Sequence, residues 1–310
     1  MVQRKNILPA IVLLFTLISG ALFSTVAAKS QPVLTEKAIT IAVIGEFGDA
    51  TPTAARVAEL VKSWQPDYIF TTGDNNYPAG ERTTIDRNIG QFYSDYIFPY
   101  SGSYESTTKE NRFFPSLGNH DVLYLQGKPH TDYFTLPGNE RYYDINLNPV
   151  HLFVVNSNET EPDGFRADSA QAAWLESTLI SESSGWKIVI LHHPPYSSAM
   201  HGSAKYMRWP FADWGADLVL SGHDHTYERL KDDGLTYVVN GLGGESRYAF
   251  NEILPESLFH YNRSSGALKL TVTASRLEGA FYTINGEMID QFALLKRVWG
   301  KAFIKKSNLR

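Results

Sequence analysis

Apolar, β-branched runs in this chain repeatedly end on, or lead into, a turn that carries a potential metal ligand. Five segments do so in order: Gly45-Glu46-Phe47-Gly48, Gly73-Asp74-Asn75-Asn76-Tyr77, Gly118-Asn119-His120-Asp121, Val189-Ile190-Leu191-His192 and Gly222-His223-Asp224-His225. Each supplies a carboxylate, phenol, amide or imidazole. Open α/β sheets place their ligands in such turns, in the crevice beyond the carboxyl ends of the strands. One turn of this kind is ordinary, since Asp and Asn cap turns by bonding nearby backbone. Five require a fold that gathers several strand ends at one edge.

The intervening pattern agrees. Ala38 to Ile44 predicts a buried strand. Thr51 to Trp64 carries Ala55, Ala58, Val61 and Trp64 at helical spacing, with Thr51 or Thr53 as cap and Pro52 in the first turn. Tyr68 to Thr71 predicts a second strand, Ile85 to Phe98 a helix, and Asn111 to Tyr124 a loop. Tyr142 to Ile145 and Val150 to Val155 predict paired strands. Ala167 to Ile180 predicts an amphipathic helix, with Ala170, Ala173, Trp174 and Leu179 towards one face. Strands follow at Lys187 to Leu191, Asp217 to Leu220 and Thr236 to Asn240. Leu268 to Ala274, Ala280 to Asn285 and Met288 to Leu294 predict closing antiparallel strands, with Asn285-Gly286 as a hairpin turn. Strand–helix alternation followed by strands predicts one α/β domain with two packed sheets.

The chain has 310 residues, 43% of them hydrophobic, which suffices for a large core. Its net charge of −5 gives no basic footprint for nucleic acid. There is no cysteine, so no disulfide contributes to stability. Arg4 and Lys5 precede an uncharged stretch from Asn6 to Ala28, and Val26-Ala27-Ala28 offers small residues for cleavage. That layout predicts a signal peptide over 1–28 and an exported protein, with an uncleaved membrane anchor as the alternative. A catalytic domain over 29–300 and a basic tail over 301–310 complete the expected organisation. Asn158-Glu159-Thr160 and Asn262-Arg263-Ser264 fit a glycosylation sequon.

The motif residues suit a two-metal hydrolase. Such a site needs an anion that bridges two cations, terminal ligands on each, and an open position. Asp74 can bridge, having two carboxylate oxygens. Tyr77 lies within reach of the same site, and a phenol ligates well only to a strongly Lewis-acidic ion such as Fe(III). Asn119 can offer an amide oxygen. His120, ordered by Asp121, can donate a proton to a leaving oxygen. His192 ends a strand run and His193 follows it. Neighbouring strand residues face opposite ways, so one of the two is expected at the site. His223 and His225 flank Asp224 and can converge if the turn is tight. Neutral imidazole suits Zn, Fe and Mn.

The whole pattern resembles the calcineurin-like metallophosphoesterases, and within them the purple (tartrate-resistant) acid phosphatase branch, from about Ile39 to Leu294. Gly48 stands where most other branches have a ligand histidine, and Tyr77 matches the tyrosinate of the purple enzymes. The resemblance implies a four-layer α/β/β/α sandwich of two mixed sheets. It implies that Glu46, Asp74, Tyr77 and His225 hold Fe(III). Asp74, Asn119, His192 and His223 would hold a divalent Fe, Zn or Mn. His120 and His201 would contact the phosphate, and Gln171, Trp174 and Leu175 match the helix before the fourth motif. Hydroxide formed on the metals would attack phosphorus in line. The expected substrate is a small phosphate monoester. A phosphodiesterase, or a metal- or phosphate-binding protein with weak activity, are the alternatives. One position departs from the family pattern: Glu46 replaces an Asp, adding one methylene, about 1.5 Å of reach. Asp49 is a possible substitute ligand, three residues further round the turn.

Overall fold

The computed structural model describes residue 1 and residues 37–296. The predicted signal segment 1–28 and basic tail 301–310 lie outside them, residue 1 aside. Among the described residues, no helix is long and apolar enough to cross a membrane.

Among the described residues, thirteen strands form the scaffold: β1 (Ile39–Ile44), β2 (Tyr68–Thr71), β3 (Phe113–Pro115), β4 (Tyr143–Asn146), β5 (Val150–Val154), β6 (Trp186–Ile190), β7 (Leu218–Ser221), β8 (Tyr227–Asp232), β9 (Leu235–Asn240), β10 (Ser257–Tyr261), β11 (Gly266–Val272), β12 (Arg276–Thr283) and β13 (Met288–Leu295). A six-stranded sheet runs β13-β12-β11-β1-β2-β3, and a seven-stranded sheet runs β10-β8-β9-β7-β6-β5-β4. Both are mixed. In the first, β1, β2 and β3 are parallel while β11, β12 and β13 are antiparallel. In the second, β5, β6, β7 and β9 are parallel, with β4, β8 and β10 antiparallel.

Period-two alternation in the parallel strands makes the layers. Ile188, Ile190, Leu218, Leu220 and Val238 point between the sheets, into a core shared with Ile41, Val43 and Phe70. Their neighbours Val189, Val219 and Val239 point outward, against Ala172, Leu175 and Leu179 of helix Ala170–Ser181. Helix Pro52–Ser63 packs Val57, Ala58 and Val61 into the first core. The result is helix, sheet, sheet, helix. Polar bonds fix one sheet against the other: Asn240 Nδ2 donates to Val43 O (3.0 Å), Trp186 Nε1 to Thr273 O (2.7 Å) and Tyr143 Oη to Pro115 O (2.8 Å). Arg229 Nε donates to Asp290 Oδ2 at 2.7 Å, joining β8 to β13. The carboxyl ends of β1, β2, β3, β6 and β7 therefore meet at one edge, and the five motif segments follow those ends.

Several expectations need adjustment. Thr51, not Thr53, caps the first helix, its Oγ1 accepting from Ala54 N at 3.1 Å. The Ile85–Phe98 segment is a broken run of helical turns: Asp86–Gly90, Gln91–Tyr93 and Ser94–Tyr96. The predicted loop Asn111–Tyr124 contains β3 and the short helix Asn119–Val122. Helix Ala170–Ser181 begins later than expected because Ser169 caps it, and its buried face is Gln171, Ala172, Leu175 and Leu179. Ala170 and Ala173 are exposed. β8 and β10 were not predicted: β10 has one solvated face, and charged residues break the apolar pattern of β8, where Glu228 is nevertheless buried and bonded by Ser198. Asn158 is buried and its amide donates to Leu117 O and Gly118 O, so that sequon is not available in the folded chain.

Candidate metal centre

Tight backbone geometry delivers the side chains. Glu46, Asp74 and His223 have φ of 57°, 52° and 67°, in the left-handed region that non-glycine residues rarely occupy. Each such residue costs on the order of 1–2 kcal/mol, so strain is concentrated on three candidate ligands. Two glycines make room for them. A Cβ on Gly118 would sit 2.1 Å from Asp74 Oδ1, and one on Gly222 would sit 2.5 Å from Glu46 Oε1.

Buried acceptors converge in the space so formed. Tyr77 Oη lies 2.8 Å from Glu46 Oε2 and 3.0 Å from Asp74 Oδ2. His225 Nε2 lies 3.7 Å from Glu46 Oε2, and His192 Nε2 lies 3.6 Å from Asp74 Oδ1. His192 Nε2 is also 2.9 Å from Asn119 Oδ1 and 3.2 Å from His223 Nδ1. Glu46, Asp74, Tyr77, Asn119, His192, His223 and His225 thus all reach one cluster. The added methylene of Glu46 does not remove it. One oxygen accepts from His223 N at 2.5 Å and the other faces Tyr77 and His225. Asp49 instead accepts from Thr51 N at 3.1 Å.

The hydrogen-bond roles fit metal ions. His192 Nδ1 lies 2.9 Å from Thr72 O, and His225 Nδ1 lies 2.6 Å from Ser246 O. A carbonyl can only accept, so both rings carry their proton on Nδ1 and present an Nε2 lone pair. His192 Nε2 and Asn119 Oδ1 are then two acceptors 2.9 Å apart with no hydrogen between them. Cis ligands held at ~2.1 Å on one octahedral cation stand about 3.0 Å apart, close to that separation.

The electrostatics point the same way. The Glu46 carboxyl is raised well above its ordinary value, first by burial and then by the charge of Asp74. Asp74 is held below its ordinary value: burial pushes it up, but His192 and His120 outweigh that. Burial, with Glu46 and Asp74 next, pushes the Tyr77 phenol far up. Burial lowers His192, His223 and His225, which keeps these imidazoles neutral and able to ligate. Carboxylates, a phenol and neutral imidazoles converging on one space are the donor set of a cation site.

The remaining predicted residues line this cluster or brace it. The half-buried His120 ring packs 4.5 Å from the Tyr77 ring; its backbone N donates to Asp74 Oδ1 and its Nδ1 lies 2.6 Å from Pro78 O. The exposed His201 ring stacks on His223 at 4.3 Å. Asp121 does not order His120, as the sequence suggested. Its carboxylate accepts from Gly118 N, Asn75 N and Asn75 Nδ2 at 2.8–3.1 Å, binding the second motif loop to the third. Burial, then the charge of Asp74, pushes it up to about 7. Gln171 is buried and bonds Asn156 and Gly164 rather than the cluster.

Two further residues, not among those expected at the site, brace or face it. Buried Asp224 accepts from His201 N at 2.8 Å and from Ser197 Oγ at 2.5 Å, and so holds the loop that carries His201. His193 also faces the site: one ring nitrogen each from His192, His193 and His223 lie within 4.8 Å of one another. Strand alternation excluded it, but β6 ends at Ile190 and the rule lapses beyond that point.

A family model described as calcineurin-like phosphoesterase matches residues 39–227. Purple acid phosphatase 17 of Arabidopsis thaliana is 24% identical over 307 residues, covering 86% of this chain and 88% of that protein. Tartrate-resistant acid phosphatase type 5 of Oryctolagus cuniculus is 22% identical, covering 79% and 84%. Among solved structures, the purple acid phosphatase from yellow lupin (Lupinus luteus) seeds superposes with a TM-score of 0.68 at 19% identity. That match covers 84% of this chain and 54% of the lupin chain, so this chain spans about half the lupin length.

Proposed function

Because this chain belongs to the calcineurin-like phosphoesterase family and is a phosphoric ester hydrolase, we propose that it is an exported acid phosphatase. It cleaves small phosphate monoesters at a pair of ions, Fe(III) and a divalent Fe, Zn or Mn. The observation that carries this reading is the 2.9 Å approach of two acceptors, His192 Nε2 and Asn119 Oδ1, beside His223 Nδ1 at 3.2 Å. Glu46, Asp74, Tyr77 and His225 would hold the ferric ion, and Asp74, Asn119, His192 and His223 would hold the divalent one. When bound, the two cations supply Lewis acidity, which activates water and offsets charge on the phosphoryl oxygens.

The chain's own groups supply the rest. Asp74 is kept ionised between the two histidine arms, and its second oxygen faces Tyr77. His120 has Nδ1 committed to Pro78 O, so it gives a proton to the departing alcohol from Nε2 as an imidazolium, and is left neutral with its hydrogen on Nδ1. His201, clamped through its backbone by Asp224, binds the phosphate from the other side. The phenol between two carboxylates supports the purple branch, and the names of the relatives support acid phosphatase chemistry. Export rests on the basic, apolar and small-residue succession of residues 4–28.

The test is metal analysis and a visible spectrum of the purified protein, with rates on a panel of mono- and diesters. The reading predicts two metals per chain, a tyrosinate-to-iron band and preference for monoesters. One metal, no band or faster cleavage of diesters refutes it. N-terminal sequencing of protein recovered outside the cytoplasm tests export; an intact Met1 there contradicts cleavage.

A further inference from the structure

We propose that Glu228 is a positioning residue for His201: together with Asp224 it clamps segment 197–202, and the clamp sets where the His201 ring meets the phosphate. This rests on the hydrolase reading and deepens it. Glu228 lies on β8, three residues past His225, and is fully buried. Both of its oxygens go to one residue of the segment. Ser198 N donates to Glu228 Oε2 at 2.8 Å, and Ser198 Oγ donates to Oε1 at 2.5 Å. The adjacent Arg229 is spent on Asp290 and does not neutralise it. A buried carboxylate without a cation beside it is expensive, and hydrogen bonds must replace the lost water. Here those bonds all serve a loop.

The rest of the segment is held in the same way. Asp224 accepts from Ser197 Oγ at 2.5 Å, from His201 N at 2.8 Å and from Gly202 N at 3.2 Å. A second stretch of chain adds three bonds. Asn251 N donates to Ser198 O at 2.8 Å, Asn251 Nδ2 to Ala199 O at 3.1 Å and Leu254 N to Ser198 Oγ at 3.0 Å. The backbone is thus pinned while Met200 and His201 stay exposed. The His201 ring lies 4.3 Å from that of His223, inclined to it by 24°. Surface loops are mobile by default. A group that binds the reacting anion must keep its place to ~0.5 Å. Asp224 anchors His201 itself, and Glu228 anchors the start of the turn that leads to it.

The experiment is a double-mutant cycle on the metal-loaded full chain, with inorganic phosphate as probe. Glu228→Gln keeps the shape but turns one acceptor into a donor that faces Ser198. It should weaken phosphate binding about tenfold, about the worth of one hydrogen bond to a charged group, with two metals still bound. In a His201→Ala background the same change should cost nothing further, because the group it positions is gone. Ser198→Ala removes the hydroxyl half of the contact from the loop side and should show the same pattern at smaller size. It carries the cycle if Glu228→Gln does not fold. Unchanged phosphate affinity in Glu228→Gln, an undiminished loss in the His201→Ala background, or loss of a metal overturns the proposal. Unchanged affinity in His201→Ala alone overturns it too. Wild-type preference for diesters would instead sink the monoesterase reading, and the phosphate cycle would still decide Glu228.

Discussion

Tyr77 and Glu46 are 31 residues apart in sequence, yet Tyr77 Oη and Glu46 Oε2 meet at 2.8 Å. Asp74 Oδ2 closes on the same phenol oxygen at 3.0 Å. Three oxygens cluster around one phenolic proton, and a bound cation would relieve the repulsion among them. The contact exists because Glu46 is long: a left-handed residue at the end of β1 spans both His223 N and Tyr77.

Shortening that side chain should therefore harm this protein, although aspartate is the family pattern. Glu46→Asp withdraws the carboxylate by about 1.5 Å, beyond the ~0.5 Å such sites tolerate. Turnover should fall about tenfold or more, with weaker binding of one metal. A gain in turnover would show that the extra methylene is an impediment.

Tyr77→Phe should remove the visible band. The carboxylates and imidazoles remain, so two metals should still bind. A band of undiminished strength in the variant would mean that the phenol is not a ligand.

His120→Ala should lower kcat on alkyl phosphates by about 10²–10⁴-fold, the usual worth of a positioned proton donor, with metal content unchanged. The loss should be smaller on aryl phosphates, whose leaving groups need no proton. Equal losses on both classes would contradict the role.

Asp121→Asn tests a brace. The carboxylate holds Gly118 N, Asn75 N and Asn75 Nδ2. Replacing it leaves buried donors poorly matched and should cost about 2 kcal/mol of stability. Melting temperature and metal affinity should drop together. A lower kcat at unaltered melting temperature would restore the idea that Asp121 acts through His120.

Stability should also decline in acid for a reason remote from the metals. His130 is buried against Phe134, and neither ring nitrogen has a hydrogen-bond partner among the described residues. Burial pushes it down to about 3 from an ordinary 6.5. Between these values the unfolded chain takes up a proton that the folded chain refuses. Its contribution to stability is complete above 6.5 and shrinks as pH falls, by at most ~1.4 kcal/mol per pH unit. Urea midpoints at pH 7.5 and 4.5 should differ less in His130→Phe than in wild type. Equal differences in the two proteins would remove His130 as the cause.

The chain itself announced the two-sheet sandwich and the seven candidate ligands, because both are written in local terms. β-branched runs such as Ile39–Ile44 need burial on both faces, and Gly-Asp, Gly-Asn-His and Gly-His-Asp-His turns need glycine where ligand side chains crowd the backbone. The strand β10 and the true buried face of helix Ala170–Ser181 were illegible, since their partners come from distant segments; β8 pairs with the adjacent β9 through the Asp233-Gly234 turn, a local hairpin signal that was overlooked. Long-range contacts alone decided three further matters. They spent the Asp121 carboxylate on loop anchoring, fitted the longer Glu46 against Gly222, and turned His193 towards the cluster through Ser157. Residue type fixes which atoms can bind a cation or carry a proton. Only packing fixes which of those atoms are already taken by a neighbour, and a group so taken is no longer free for chemistry.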